Sequence, residues 1–466
     1  MVYGDSMDAN IDKKVVLLIT TMSSFLAPFM GSSVFIGLPS IGKELSMDVV
    51  TLSWVSTAYL LAAAMFLVPF GKIADICGRK KIFEYGISID IIASLLLVFA
   101  FSEMELIALR VMQGIGAAMI FGTGVAILTS VYPPGERGKA LGINVAGVYA
   151  GLSLGPLIGG FLTHQFGWRS IFLSYVPLEL LIIVLVPWKV KGEWADAKGE
   201  KLDSTGSVIY GFSLAAMMCG FSLLPGMQGA WLVLAGIISL AFFVIWETKV
   251  KAPVLDMNLF RKNPAFMFSI LAALINYSAT FAVGFFMSLY LQSIKGLDPQ
   301  AAGALLVAQP VVMVVFSPLA GRLSDKIEPR IVASAGTAFT TAGLLLLSFL
   351  NASASIGYIV ASLAVLGFGF ALFSSPNTNA VMSAVEKRFY GVASATLGTM
   401  RLTGQMLSMG IATLIVAVYM GNVQITPENY PVFLRGVQAA FIVFAAFCFI
   451  GIFVSLARGK VHTPAG

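Results

Sequence analysis

Runs of about 20 apolar residues recur along the whole 466-residue chain, separated by short polar loops. A helix of that length rises roughly 30 Å, the depth of a bilayer's hydrocarbon core. Six runs fall between Val15 and Trp188, two between Thr205 and Glu247, and six between Pro264 and Leu456. Only 11% of residues are charged and 58% are hydrophobic, too few polar side chains to clothe a soluble globule. Strand-like alternation is missing, which excludes an outer-membrane barrel. The fold class expected is therefore an all-α polytopic membrane protein with fourteen spans.

The net charge of +6 is a matter of topology. Lys72, Arg79, Lys80, Lys81, Arg137, Lys189, Lys198, Lys201, Lys249 and Arg322 lie in alternate loops, while the opposite loops and their edges hold only Lys43, Arg169, Lys295 and Arg435. This is the positive-inside pattern, and it predicts a plasma-membrane protein with both termini cytoplasmic. A nucleic-acid partner is not expected. Cys77, Cys219 and Cys448 are too far apart for a metal or disulfide motif, so no cofactor or metal is expected. The first run has no small-residue cleavage site and reads as a retained anchor.

The polar stretch from Lys189 to Asp203 divides the chain. Three parts are expected: residues 1–188 as an amino-terminal six-helix bundle, 189–263 as a linker with two additional spans, and 264–466 as a carboxy-terminal six-helix bundle. The halves echo each other. Gly71-Lys-Ile-Ala-Asp75 closes the second span, and Gly321-Arg-Leu-Ser-Asp325 closes the tenth. Duplicated units of this kind typically enclose a substrate site at their interface.

Four groups of residues carry chemistry. In the loop Gly71–Lys81, Gly71 and Gly78 permit close approach, and Asp75 can accept bonds from Arg79; a charge cluster that pairs and separates makes a latch. Gly321 and Asp325 form its partial copy. In the fifth span Gly147, Gly151, Gly155 and Gly159 recur every four residues, a ridge for a neighbouring backbone, with Pro156 removing one backbone donor. In the fourth span Gly114, Ala118, Gly122 and Ala126 repeat that device, and Arg110 stands one step along it. An arginine at membrane depth is a functional candidate, although snorkelling to the headgroups would also hold it there. Asp90, on one face with Gly86 and Ser94, and Glu179, four residues after Tyr175, are mid-span carboxyls. Burial disfavours the charged form, so either can carry a proton; a neutral acid bonded to a neighbouring helix is the alternative.

These motifs together resemble the major facilitator superfamily. Gly71–Lys81 is similar to its signature between spans two and three. Arg110-Val-Met-Gln113-Gly114-Ile-Gly116 is similar to its span-four motif, whose arginine is implicated in proton transfer, and Gly142–Gly159 to the "antiporter" motif that marks exporters. Fourteen spans, Trp54–Tyr59, Gly167–Phe172 and Tyr290-Leu-Gln292 resemble the fourteen-span drug:proton antiporters. The resemblance implies two six-helix bundles rocking around a central cavity and coupled to protons. Phe29–Ser33, ahead of Leu38-Pro39, lacks the acid that relatives often carry in span one, which throws the proton role onto Asp90, Arg110 and Glu179.

Gln113, Asn276, Tyr277, Gln309, Asn379 and Arg401 are candidates to line the cavity. The expected activity is proton-driven export of small amphipathic or hydrophobic compounds by a monomer whose partners are its substrate, protons and the bilayer. A carrier of a dedicated metabolite, in either direction, or a non-transporting sensor are the alternatives. An enzyme is not expected: the two histidines, His164 and His462, are far apart, and no phosphate-binding Gly-x-x-x-x-Gly-Lys-Ser/Thr loop is present.

Overall fold

The computed structural model describes residues 12–133, 136–190, 192–250, 253–255, 260, 263–386 and 390–459; His462 and the side chain of Asp325 lie outside them. Its long helices are α1 (Lys13–Glu44), α2 (Val49–Cys77), α3 (Arg79–Leu97), α4 (Glu103–Val131), α5 (Arg137–Phe166), α6 (Arg169–Lys189), α7 (Ser204–Leu223) and α8 (Met227–Glu247). They continue as α9 (Pro264–Ile294), α10 (Pro299–Ser324), α11 (Pro329–Ser348), α12 (Ile356–Ser383), α13 (Tyr390–Tyr419) and α14 (Tyr430–Ala457). Among the described residues, 13 helices are long and apolar enough to cross a membrane. The exception is α3, whose 19 residues include Lys80, Lys81, Glu84 and Asp90.

Local rules set the ends. Asp48, Ser102, Asp203, Asn263, Asp298 and Ser355 each accept a bond from an early backbone amide of the helix that follows. The first helix runs on to Glu44, carrying Pro28 and Pro39 within it. The ninth is interrupted at Phe281, and there the Ala282 N–H donates to Ser408 Oγ of α13 at 3.0 Å. A backbone group freed inside a membrane must find such a partner.

Helices α1–α6 pack as α1 on α5, α2 on α4, α3 on α4 and α3 on α6. The same pairings recur as α9 on α13, α10 on α12, α11 on α12 and α11 on α14. Across the middle α2 meets α13, α5 meets α10, and α1 meets the second part of α9. The inserted hairpin α7–α8 lies over one flank, where α7 touches both α2 and α13: Gly211 approaches Met65, and Gly410 admits Phe221 and Met218.

Contacts between the halves cluster at one end. Ser288 Oγ donates to Phe35 O at 2.5 Å and Gln292 Nε2 to Ile36 O at 3.0 Å. Ser53 and Thr413 hydroxyls meet at 2.8 Å, Gln424 Nε2 donates to Ser46 O at 2.7 Å, and the Val49 N–H to Val423 O at 3.2 Å. Phe35 lies edge-on to Phe281 at 5.3 Å. We call this the far end; the other, holding the 71–81 loop and the 189–203 linker, is the linker end.

Candidate functional site

Three sequence-flagged charges meet inside the first bundle. Asp90 of α3, Arg110 of α4 and Glu179 of α6 are 2%, 1% and 1% exposed, so none reaches lipid headgroups and snorkelling does not hold Arg110. The approach of α3 to α4 depends on two glycines: a Cβ on Gly116 would stand 2.8 Å from Gly86 O, and one on Gly86 would stand 2.9 Å from Gly116 O. Arg110 Nε donates to Val55 O of α2 at 2.8 Å, and its Nη1 to Gln113 Oε1. The guanidinium also lies over the Tyr59 ring, 4.4 Å from the centroid, a contact worth about 2 kcal/mol when water is excluded. Gln113 Nε2 passes the chain on to Ser94 Oγ at 2.9 Å.

The carboxyls of Asp90 and Glu179 lie within hydrogen-bond reach of each other, with Tyr175 and Gln113 also against Asp90. Asp90 Oδ1 and Glu179 Oε2 have no other partner. Two carboxylates have no hydrogen to offer each other, so the contact requires a proton between them. One proton on the pair, opposite Arg110, makes the cluster neutral; losing it leaves a net negative charge at membrane depth. A cavity of about 10 Å³ opens beside the pair, lined by Ser23, Leu26 and Ala27 of α1 and by Ile87, Ala117, Ile120, Phe121, Tyr175 and Ile182. That is room for one water.

The acid missing from the first span has a steric counterpart. Residues 25–33 of α1 face the glycine ridge of α5: a Cβ on Gly151 would stand 2.3 Å from Phe25 O, on Gly155 2.0 Å from Ser32 Oγ, and on Gly159 2.7 Å from Ser33 Cα. Ser33 Oγ donates to Gly155 O at 2.8 Å. The same helix turns toward the second bundle at Pro156, whose carbonyl oxygen would lie 2.1 Å from a Cβ on Gly303 of α10. Gly114 and Gly122 of α4 play the same part against Tyr59 O and Gly71 of α2.

At mid-depth between the bundles Tyr149 OH of α5 donates to Ser374 Oγ of α12 at 3.1 Å. Ser317 lies near the same hydroxyl, and Tyr277 and Arg401 are within electrostatic range of it. Of the cavity candidates, then, Tyr277 and Arg401 share this place. Gln113 belongs instead to the Arg110 cluster, away from the interface, and Asn379 donates to Ser324 Oγ at 3.1 Å near the end of α10. Asn276 is fully buried in α9 with both amide atoms unpartnered, and Gln309 lies half-buried with its backbone carbonyl against Gly367. Tyr149 was the residue to find in the sequence: it stands midway between Gly147 and Gly151, two residues from each and so on the face of α5 opposite the ridge.

The expected loop at 71–81 is helical except at Gly78, the one-residue turn between α2 and α3, and this segment is tied to the linker. Arg79 Nε donates to Asp75 Oδ1 at 2.8 Å, its Nη1 to Ser130 Oγ at 2.7 Å, and its Nη2 sits between Asp75 at 2.7 Å and Asp196 at 2.8 Å. Glu193, Asp196 and Glu200, which read only as polar linker, all bond this loop. Gly321 has just Ser375 Oγ, 3.0 Å from where a Cβ would be.

Comparison with known proteins agrees with this architecture. The sequence matches the model of the Major Facilitator Superfamily at residues 20–270 and 269–465. It is 27% identical to the riboflavin transporter RibZ of Clostridioides difficile, over 95% of this chain and 97% of that one. It is 27% identical to the multidrug resistance protein Stp of Mycobacterium tuberculosis, over 88% and 77%, and 30% identical to the cephamycin export protein CmcT of Amycolatopsis lactamdurans, over 87% and 85%. A crystal structure of a bacterial homologue of the human lysosomal transporter Spinster, in an inward-facing and occupied conformation, superimposes with a TM-score of 0.65 at 19% identity, covering 97% of this chain and 99% of that one.

Proposed function

Because the chain belongs to the Major Facilitator Superfamily, and is a membrane transporter and not an enzyme, we propose that it exports small amphipathic or hydrophobic compounds in exchange for protons. The observation that carries the proton half of this reading is the Asp90–Glu179 pair: two buried carboxyls that need a shared proton, beside Arg110 and a water-sized cavity. Proton release frees negative charge in a space enclosed by α1, α3, α4 and α6, and charge that cannot stay desolvated drives those helices to rearrange. Tyr149, Tyr277 and Arg401 then face the substrate at mid-depth. Relatives named as export and resistance proteins support the direction of transport.

The linker end is assigned to the cytoplasm by its excess of lysine and arginine, which makes this a plasma-membrane protein with both termini inside. On that assignment the far-end contacts seal the outer face, and substrate enters from the cytoplasm. Asp75 and Arg79, with the copy at Gly321 and Asp325, form the inner gate, and the Gly151–Gly159 ridge with Pro156 is the surface on which α1 and α5 move together.

The test is flux in proteoliposomes with an imposed pH gradient across a panel of lipophilic compounds. Uphill accumulation that collapses when the gradient is dissipated supports exchange. Uptake indifferent to the gradient for every substrate found would overturn proton coupling. A second reading, carriage of one dedicated metabolite, is favoured by the relative named as a riboflavin transporter, which the chain matches over nearly its full length. A panel containing flavins and other polar metabolites separates the two.

A further inference from the structure

We infer that residues 193–200 form a strap that positions the 71–81 loop, and that its release is a step of the transport cycle; this rests on the transporter reading above. The two segments meet in antiparallel register. Glu193 Oε1 accepts from the Lys80 N–H at 2.8 Å and its Oε2 from the Lys81 N–H at 3.2 Å. Next, the Arg79 N–H donates to Trp194 O at 2.9 Å, while Arg79 Nη2 reaches Asp196 at 2.8 Å. The Ala197 N–H donates to Asp75 O at 2.9 Å, and Lys72 Nζ closes the register on Glu200 at 2.6 Å. As one strand advances from 193 to 200 the other retreats from 81 to 72.

Glu193 does what α3 cannot do for itself. The residue ahead of α3 is Gly78, which has no side chain to cap the first amides. A carboxylate from 113 positions away fills that place, where the helix dipole favours an anion. Glycine at 78 is required twice over: its φ is +117°, and a Cβ there would stand 2.4 Å from Glu193 Cδ. The glycine of the loop signature is thus shaped to receive the linker's carboxylate.

The bonds suit something that opens. Glu200 and Asp196 are half-exposed or more, and ion pairs in such places are individually weak. Joined in one register they can be undone from an end, one at a time. While they hold, Lys72 and Arg79 are matched by the linker, and the joints between the halves lie at the far end. Once they let go, Lys72, Arg79 and the start of α3 are available to the second bundle. The strap therefore biases the transporter toward the state described here.

The experiment places spin labels on K139C and K326C in a chain whose three native cysteines are replaced, and reads the distance across the linker end without substrate. Both positions are exposed and outside the strap. E193Q/D196N is expected to move the population toward the shorter distance by about three- to tenfold, the size expected from losing a few exposed charge contacts. E200K should do the same more weakly, and K72E/E200K, which restores the pair with reversed charge, should return the wild-type distribution. Turnover should change in E200K without a change in KM, and recover in the double variant. Identical distance distributions in wild type, E193Q/D196N and E200K would overturn the strap, as would failure of K72E to rescue E200K. Because the distances need no flux, a strap that behaves as expected in a chain that moves no substrate would count against the transporter reading alone.

Discussion

The two six-helix bundles share a packing plan and differ in what they bury. In the first, the seam of α3 with α4 and α6 holds Asp90, Arg110 and Glu179. In the second, the corresponding seam of α11 with α12 and α14 is kept close by Gly336, Gly343 and Gly369, and its buried polar groups include Thr337, Thr340 and Thr341, whose hydroxyls donate to carbonyls of their own helix. Among the described residues α9–α14 bury no carboxylate. The loops differ likewise: the first is strapped by three acids, while Gly321 meets a serine. The scaffold occurs twice, and of its two copies only the first buries carboxylates among the described residues. On the proposed exchange with protons, such a division would let one bundle respond to protons while the other moves as a passive counterpart.

The largest expected effect is on the acid pair. Asp90→Asn or Glu179→Gln should lower gradient-driven accumulation by about 100-fold or more, since the pair can no longer shed and regain its shared proton. Downhill exchange should survive and lose its dependence on pH. If both variants still concentrate substrate, the charged seam is not what sets the bundles apart. Next comes the ridge. Gly155→Ala puts a methyl into Ser32 and the Phe29 carbonyl and should cost about 1–3 kcal/mol, read as a lowered melting temperature in detergent. Gly142→Ala, on the same helix but facing open space, should be neutral or slightly stabilising. Equal losses at both positions would remove the ridge from the account.

Asp75→Asn weakens the pairing with Arg79 and should slow turnover by about three- to tenfold while leaving substrate binding intact, measured by equilibrium binding alongside flux. Unchanged turnover would defeat the latch. The smallest effect is expected in the second bundle. Thr337→Val removes a hydroxyl bonded only within its helix and should alter transport by less than about twofold. A large loss there would mean that the passive half carries chemistry after all.

Much of this was legible in the residues. Glycines spaced by four announced the α5 ridge, because within an apolar run long enough to be a helix such positions share one face. Asp90, Arg110 and Glu179 each stood out as a charge inside an apolar run. What the pattern does not carry is their meeting: α3 and α6 are separated along the chain by α4 and α5, and nothing local encodes their contact. Glu193, Asp196 and Glu200 were hidden for the opposite reason. In a stretch rich in charge, a carboxylate that caps a distant helix looks like any other solvated acid. Gln113 misled because a glutamine facing inward can serve a cavity or an arginine, and here it serves Arg110.

The hairpin α7–α8 makes the molecule lopsided. Its first helix lies over the flank where α2 meets α13, while among the described residues the matching flank, between α5 and α10, carries no inserted helix. A greasy compound dissolved among the acyl chains finds one side door shuttered and the other bare, so cargo arriving sideways has a preferred port. Crosslinking with photoreactive lipophiles should mark that port on one side of the molecule only.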